Sequence, residues 1–123
     1  MAIPKARVMS ELVEPFRVRS RLTREEHTVR FSHLWVGIAT RHSDTIDCKF
    51  LVDGRGVVVA LAHPGFVEFR ERTGRSLTDE ETACLAAACL REHLEADRDL
   101  SGPYLPVSRE EVLRLAEKLG FLR

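Results

Sequence analysis

Nucleophilic catalysis needs a thiol or hydroxyl, a base beside it and a group that orients the base. One set in this sequence has residue types and spacing that could meet that need: His33, Cys48 and His63. Cys48 lies in an alternating apolar run, 46–52, that faces a second run, 57–61, across Asp53-Gly54-Arg55-Gly56. If the reversal uses all four of those residues, Cys48 falls opposite Leu61 and Ile46 opposite His63. Thiol and imidazole are then diagonal neighbours on one sheet face. His33 is the histidine whose surroundings read as core-facing. The chemistry outlined is that of a minor Cys/His enzyme. The competing reading is a buried thiol near a strand-end histidine, and it is the commoner role for such a cysteine.

A second set could hold charge. Arg17, Arg19 and Arg21 alternate with Phe16, Val18, Ser20 and Leu22. In an extended segment the three guanidinium groups line one side about 7 Å apart, from the rise per strand residue. With Arg30 or Arg41 they could bind a small anionic ligand or a polyanion. The same pattern is also how an edge strand stays unpaired in solution.

Other chemistry has less support. The five histidines, at 27, 33, 42, 63 and 93, include no pair four apart, so a zinc helix is not indicated, and no cofactor is implied. The GxSxG, HExxH, GxxxxGK and GxGxxG strings do not occur. Cys48, Cys84 and Cys89 are odd in number and lack CxxC spacing, which predicts free thiols lining a core.

At 123 residues with 44% hydrophobic and 31% charged residues, the chain reads as a single α+β domain spanning 1–123. Net charge is zero. Residues 1–60 carry ten basic against seven acidic side chains, net +3, and the remainder nine against twelve, net −3. All but three of the 19 basic residues (Lys5, Lys49, Lys118) are Arg, a skew that a GC-rich bacterial genome explains as readily as a need for forked donors. No signal peptide or run of ~18 apolar residues is present, so the expected location is cytoplasmic, with no membrane partner. Nucleic acid is an unlikely partner: the best helix opens with Asp79, Glu80 and Glu81, which phosphates repel, and the linker after it is too long for a helix-turn-helix.

Several elements must position these groups. The two apolar runs around Asp53-Gly54 predict a β-hairpin, with Ile46, Cys48, Phe50 and Val52 sharing a face with Val57, Val59 and Leu61. Residues 27–39 read as a strand whose apolar face switches midway, which calls for a bulge, a bend or burial on both sides. Residues 1–28 are the least determined, with a short helix at 5–14 that must stop before Pro15. Residues 66–73 predict one or two helical turns with Phe66, Val67 and Phe69 inward, stopped by Gly74. Thr78-x-x-Glu81 and Ser108-x-x-Glu111 are capping boxes for helices to about residue 96 and to Gly120, separated by a linker at 97–107.

The expected fold is an antiparallel three- to four-stranded meander with a central hairpin, covered on one face by two or three C-terminal helices. The expected role is that of a soluble non-enzymatic interaction or regulatory domain acting as a homodimer. Two surfaces motivate the dimer: the sheet face of Leu51, Val58, Ala60 and Ala62, and the helix at 83–90, apolar on all sides. Alternatively, residues 8–22 fold back as an internal cover.

Overall fold

The computed structural model describes residues 13–37, 44–98 and 104–122. The short helix expected at 5–14 falls mostly outside them. In chain order the elements are β1 (Phe16–Arg19), β2 (Glu26–Gly37), β3 (Thr45–Val52), β4 (Arg55–Ala62), α1 (His63–Thr73), α2 (Asp79–Glu95), β5 (Tyr104–Val107) and α3 (Arg109–Lys118). The strands form one sheet in the order β1-β2-β3-β4-β5, antiparallel throughout except for the parallel β4–β5 pair.

The hairpin at its centre closes through two residues. Asp53 and Gly54 have φ of 53° and 85°, the paired positive values that a type I′ turn requires. Phe50 therefore pairs with Val57, Cys48 with Val59 and Ile46 with Leu61. The face predicted for this hairpin is the buried one. Phe50 and Val59 are fully buried, and Phe31 meets Phe50 edge to face at 5.4 Å between centroids.

Strand β2 changes register between Phe31 and His33, a bulge at Ser32. Phe31 pairs with Phe50 on the core side, but His33 pairs with Lys49 and Leu34 with Cys48. The inserted residue moves Leu34 to the core side and His33 to the outer one, resolving the mid-strand switch. Strand β1 pairs with β2 through Phe16↔Val29 and Val18↔His27. The turn between them is organised by the buried Ser20, whose hydroxyl accepts from the N–H groups of Leu22 and Thr23.

The stretch expected as linker ends in a strand. Tyr104 and Leu105 lie beside Val58 and Val59, and Pro106 and Val107 beside Ala60 and Leu61. A parallel neighbour of β4 needs a long crossover, and α1 with α2 supplies it. Pro106 is tolerated because β5 is an edge strand.

All three helices cover one sheet face. Helix α1 starts directly after β4, with Pro64 in its first turn, and stops at Gly74 (φ 79°). It is longer than expected and turns Val67 outward (44% exposed), because Gly65 and Phe69 supply the buried side. Gly65 is a close-approach site: a Cβ there would lie 2.7 Å from Val112 Cβ on α3. Helix α2 has both halves of its capping box, Thr78 Oγ1 accepting from Glu81 N–H and the Glu81 carboxylate accepting from Thr78 N–H. It packs against β1, β2, β4 and α3, so its Ala-rich middle is covered within the chain. Helix α3 ends in the Schellman pattern that Gly120 and Phe121 suggest, with both N–H groups returning to the Ala116 and Glu117 carbonyls. One hydrophobic cluster joins the inner sheet face to all three helices.

Candidate functional site

The Cys/His set is dispersed. The two-residue turn places Cys48 opposite Val59, and β4 ends at Ala62, so His63 begins a helix four residues beyond Cys48's partner. That is roughly 13 Å along a strand. The geometry that would have paired them required the four-residue loop. His33 faces away from the core, exposed, with its Nδ1 2.9 Å from Ser32 Oγ. Cys48 is fully buried, and that burial, reinforced by Asp47, pushes its thiol up to about 12. A thiol held protonated is a poor nucleophile.

The arginine set is partly gathered. Arg17, Arg19 and Arg30 project from the sheet face opposite the helices, since Arg17 pairs with Thr28 and Arg30 with Leu51 in that register. Arg30 is the diagonal neighbour of Arg17, roughly 7–8 Å away. Glu26 is the carboxylate shared by Arg17 (3.8 Å) and Arg19 (3.6 Å). Lys49 lies on the same face. Arg21 leaves this group: it sits in the turn after β1, its N–H donates to the Glu95 carbonyl and its guanidinium is 3.6 Å from the Glu95 carboxylate on α2. Arg41 lies outside the described residues.

This outer face is covered by no described helix. At the β1–β2 side it is basic; at the β4–β5 side it is apolar, with Val58 half-buried, Tyr104 55% exposed and Pro106 exposed. Leu51 is half-buried between the two regions. The patch differs in outline from the one read in the sequence. Ala60, between Asp47 and Pro106 in the register, is only 1% exposed, whereas β5 adds Tyr104 and Pro106.

A second cluster lies at the hairpin turn, where β2 meets Asp53. His27 Nδ1 lies 2.7 Å from Asp53 Oδ2, and the Thr28 N–H donates to Asp53 Oδ1 at 2.9 Å. The Asp53 N–H in turn donates to the Thr28 carbonyl. The hydrogen bond from His27, then that from Thr28, holds the Asp53 carboxyl below its usual range. The pair borders a depression of about 340 Å³ between the hairpin turn and the C-terminal end of α2. Finding it from sequence required the β2–β3 register, which the bulge at Ser32 makes unreadable by simple alternation.

No three His, Cys, Asp or Glu side chains among the described residues converge as a metal set, and no described helix is long and apolar enough to cross a membrane. Comparison with protein-family models, curated proteins and solved structures finds no match.

Proposed function

We propose that the chain is a non-enzymatic interaction module that works as a homodimer, joined through the outer face of its sheet. The observation that carries this reading is the apolar strip of Val58, Tyr104 and Pro106, with Leu51 beside it, on a face that no described helix covers. The alternative surface is weaker, because α2 has Ala83, Leu85, Ala86 and Leu90 fully buried within the chain. The N-terminal cover is also weakened, since Phe16–Arg19 extends the sheet as an edge strand.

Joining sheets edge to edge is disfavoured at both ends. Strand β1 has four residues and carries two arginines, and β5 has four and contains Pro106. Face-to-face contact remains. A two-fold contact centred on β4 and β5 sets like apolar strips together and leaves Arg17, Arg19 and Arg30 at the rim, where their repulsion is screened.

Light scattering at micromolar concentration tests the dimer. The expected mass is about twice the 14.0 kDa of one chain. Val58→Asp, and independently Tyr104→Glu at a more exposed position, should return the monomer mass with the fold retained, since each introduces charge into the contact. A wild-type mass near 14.0 kDa rejects the reading.

A second reading has its own support in the gathering of Arg17, Arg19 and Arg30 with Lys49 on the same face. These groups suit a small anionic ligand or polyanion. Binding of polyphosphate should fall with salt, and Arg19→Ala should flatten that dependence by about one counterion. Equal binding by both proteins rejects it.

A further inference from the structure

The depression beside His27 lies on the rim of the helix-covered side, apart from the outer sheet face. Its floor is apolar: Val52 and Val57 come from the central hairpin and Leu94 from α2. Arg55 and Arg98 stand on its border, from the start of β4 and from just beyond α2. Both are exposed, and neither makes an ion pair with a described residue. Elsewhere arginines are commonly engaged: Arg75 with Glu81, Arg109 with Glu68 and Glu110, and Arg114 with Glu92 and Glu111. Arg55 and Arg98 instead stand over an apolar floor, with Arg55 near enough to Asp53 to help hold that carboxyl down.

The acids on the border differ in availability. Asp53 is occupied by His27 and by the Thr28 N–H. Because an ionised carboxylate can only accept, the proton lies on His27 Nδ1, and Nε2 is the ring nitrogen left for another partner. Asp97 also borders the depression, held in a left-handed conformation (φ 56°) at the end of α2. The C-terminal end of a helix works against an anion. Here, however, the Leu94 and His93 carbonyls already accept from the N–H groups of Asp97 and Arg98. Asp53 and Asp97 offset the charges of Arg55 and Arg98, so the border is neutral overall, and its unoccupied forked donors are the two guanidinium groups, which suit a ligand with acceptor oxygens.

We propose that this depression binds a small organic anion, an acidic headgroup held by Arg55 and Arg98 with a short apolar body against Val52, Val57 and Leu94. A forked guanidinium matches the two oxygens of a carboxylate and also those of a phosphate monoester. Either headgroup satisfies the same donors. The pocket volume of about 340 Å³ suits a ligand of a few carbons.

The test is an NMR titration of the full chain at low ionic strength with hexanoate and with hexyl phosphate. The His27 ring and the methyl groups of Val52, Val57 and Leu94 serve as reporters. At least one probe should shift all four, with Kd on the order of 1–10 mM for so small a ligand. Arg55→Ala and Arg98→Ala should each weaken binding by about fivefold or more, through loss of a charge-assisted contact. Arg70→Ala, on α1, should leave it unchanged. Both pocket arginines are exposed, so unchanged urea midpoints will show that the variants remain folded. Hexanol or hexylammonium binding as well as the anions would overturn the proposal, as would Arg55→Ala and Arg98→Ala both binding like wild type. The absence of any shift with either anion would overturn it too.

Discussion

The two faces of the sheet treat the same kinds of side chain in opposite ways. On the helix-covered face, Cys48 is buried and its thiol is pushed up to about 12. The next residue along the strand, Lys49, lies on the other face among Arg30, Val58 and His33. Burial that secures the fold also quenches chemistry, because a desolvated group is held in its neutral form. Groups capable of recognition are accordingly found on the outer face and on the rim by His27, not in the core. A residue's value for binding here depends on which side of the pleat it takes.

The largest expected effect separates those sides directly. Phe50→Ala, on the covered face, should cost about 3–5 kcal/mol through lost burial and the cavity left behind. Arg30→Ala, on the outer face of the neighbouring strand, should change stability by no more than about 0.5 kcal/mol. Urea titrations of both variants decide it; similar losses would mean that the two faces are equally packed.

Gly65→Ala asks whether the helix layer is as tight as the inner sheet face. Helix propensity alone favours alanine by roughly 0.5–1 kcal/mol. The Val112 Cβ at 2.7 Å makes the opposite sign the expected one, a loss of about 1–3 kcal/mol from overpacking. A gain in stability would show that α1 and α3 separate easily.

A smaller effect comes with acid. Glu81 is held at about 2, first by the hydrogen bond from Arg75 and also by the Thr78 N–H, against a usual value of 4.5. A carboxyl depressed in the folded state contributes stability above its unfolded value and loses it as pH falls through the folded one. The advantage of wild type over Glu81→Gln in thermal unfolding should therefore shrink between pH 4.5 and about 2. A gap constant across that window would separate the cap from its charge. Asp53 should act in the same direction, through His27.

The mildest test uses the thiols. All three are free, and burial raises Cys84, Cys89 and Cys48, the last two to about 11 and about 12. Alkylation of the native protein should reach the half-buried Cys84 first and the other two only on unfolding. Early labelling of Cys48 would show that the covered face opens.

What could be read from sequence follows the same division. The covered face of the hairpin was legible because period-2 alternation gives the same face whether the loop at Asp53-Gly54 takes two residues or four, although the register itself stays open between them. The caps at Thr78 and Ser108 were legible because they are local. Strand β5 was not: four residues with Pro106 look like linker until the parallel partner β4 is known. The cover of α2 was half legible, since an apolar circumference shows that a helix is buried but not by what. The candidate site fared worst. Arg17, Arg19 and Arg30 share a face as alternation suggests, yet Arg21 is diverted by the turn at Ser20. The pairing of Cys48 with His63 depended on a loop two residues longer than the one formed. The His27–Asp53 contact depends on a register set by one inserted residue. The candidate groups are brought together or kept apart by such offsets, which composition and periodicity do not record.

The outer face as a dimer interface can be tested most directly by isotope-filtered NOE spectroscopy on a mixture of labelled and unlabelled chains. The expected result is intermolecular contacts among the Leu51 and Val58 methyl groups and the Tyr104 ring. Intermolecular contacts confined to α2, or none at concentrations where one face should be paired, would contradict it.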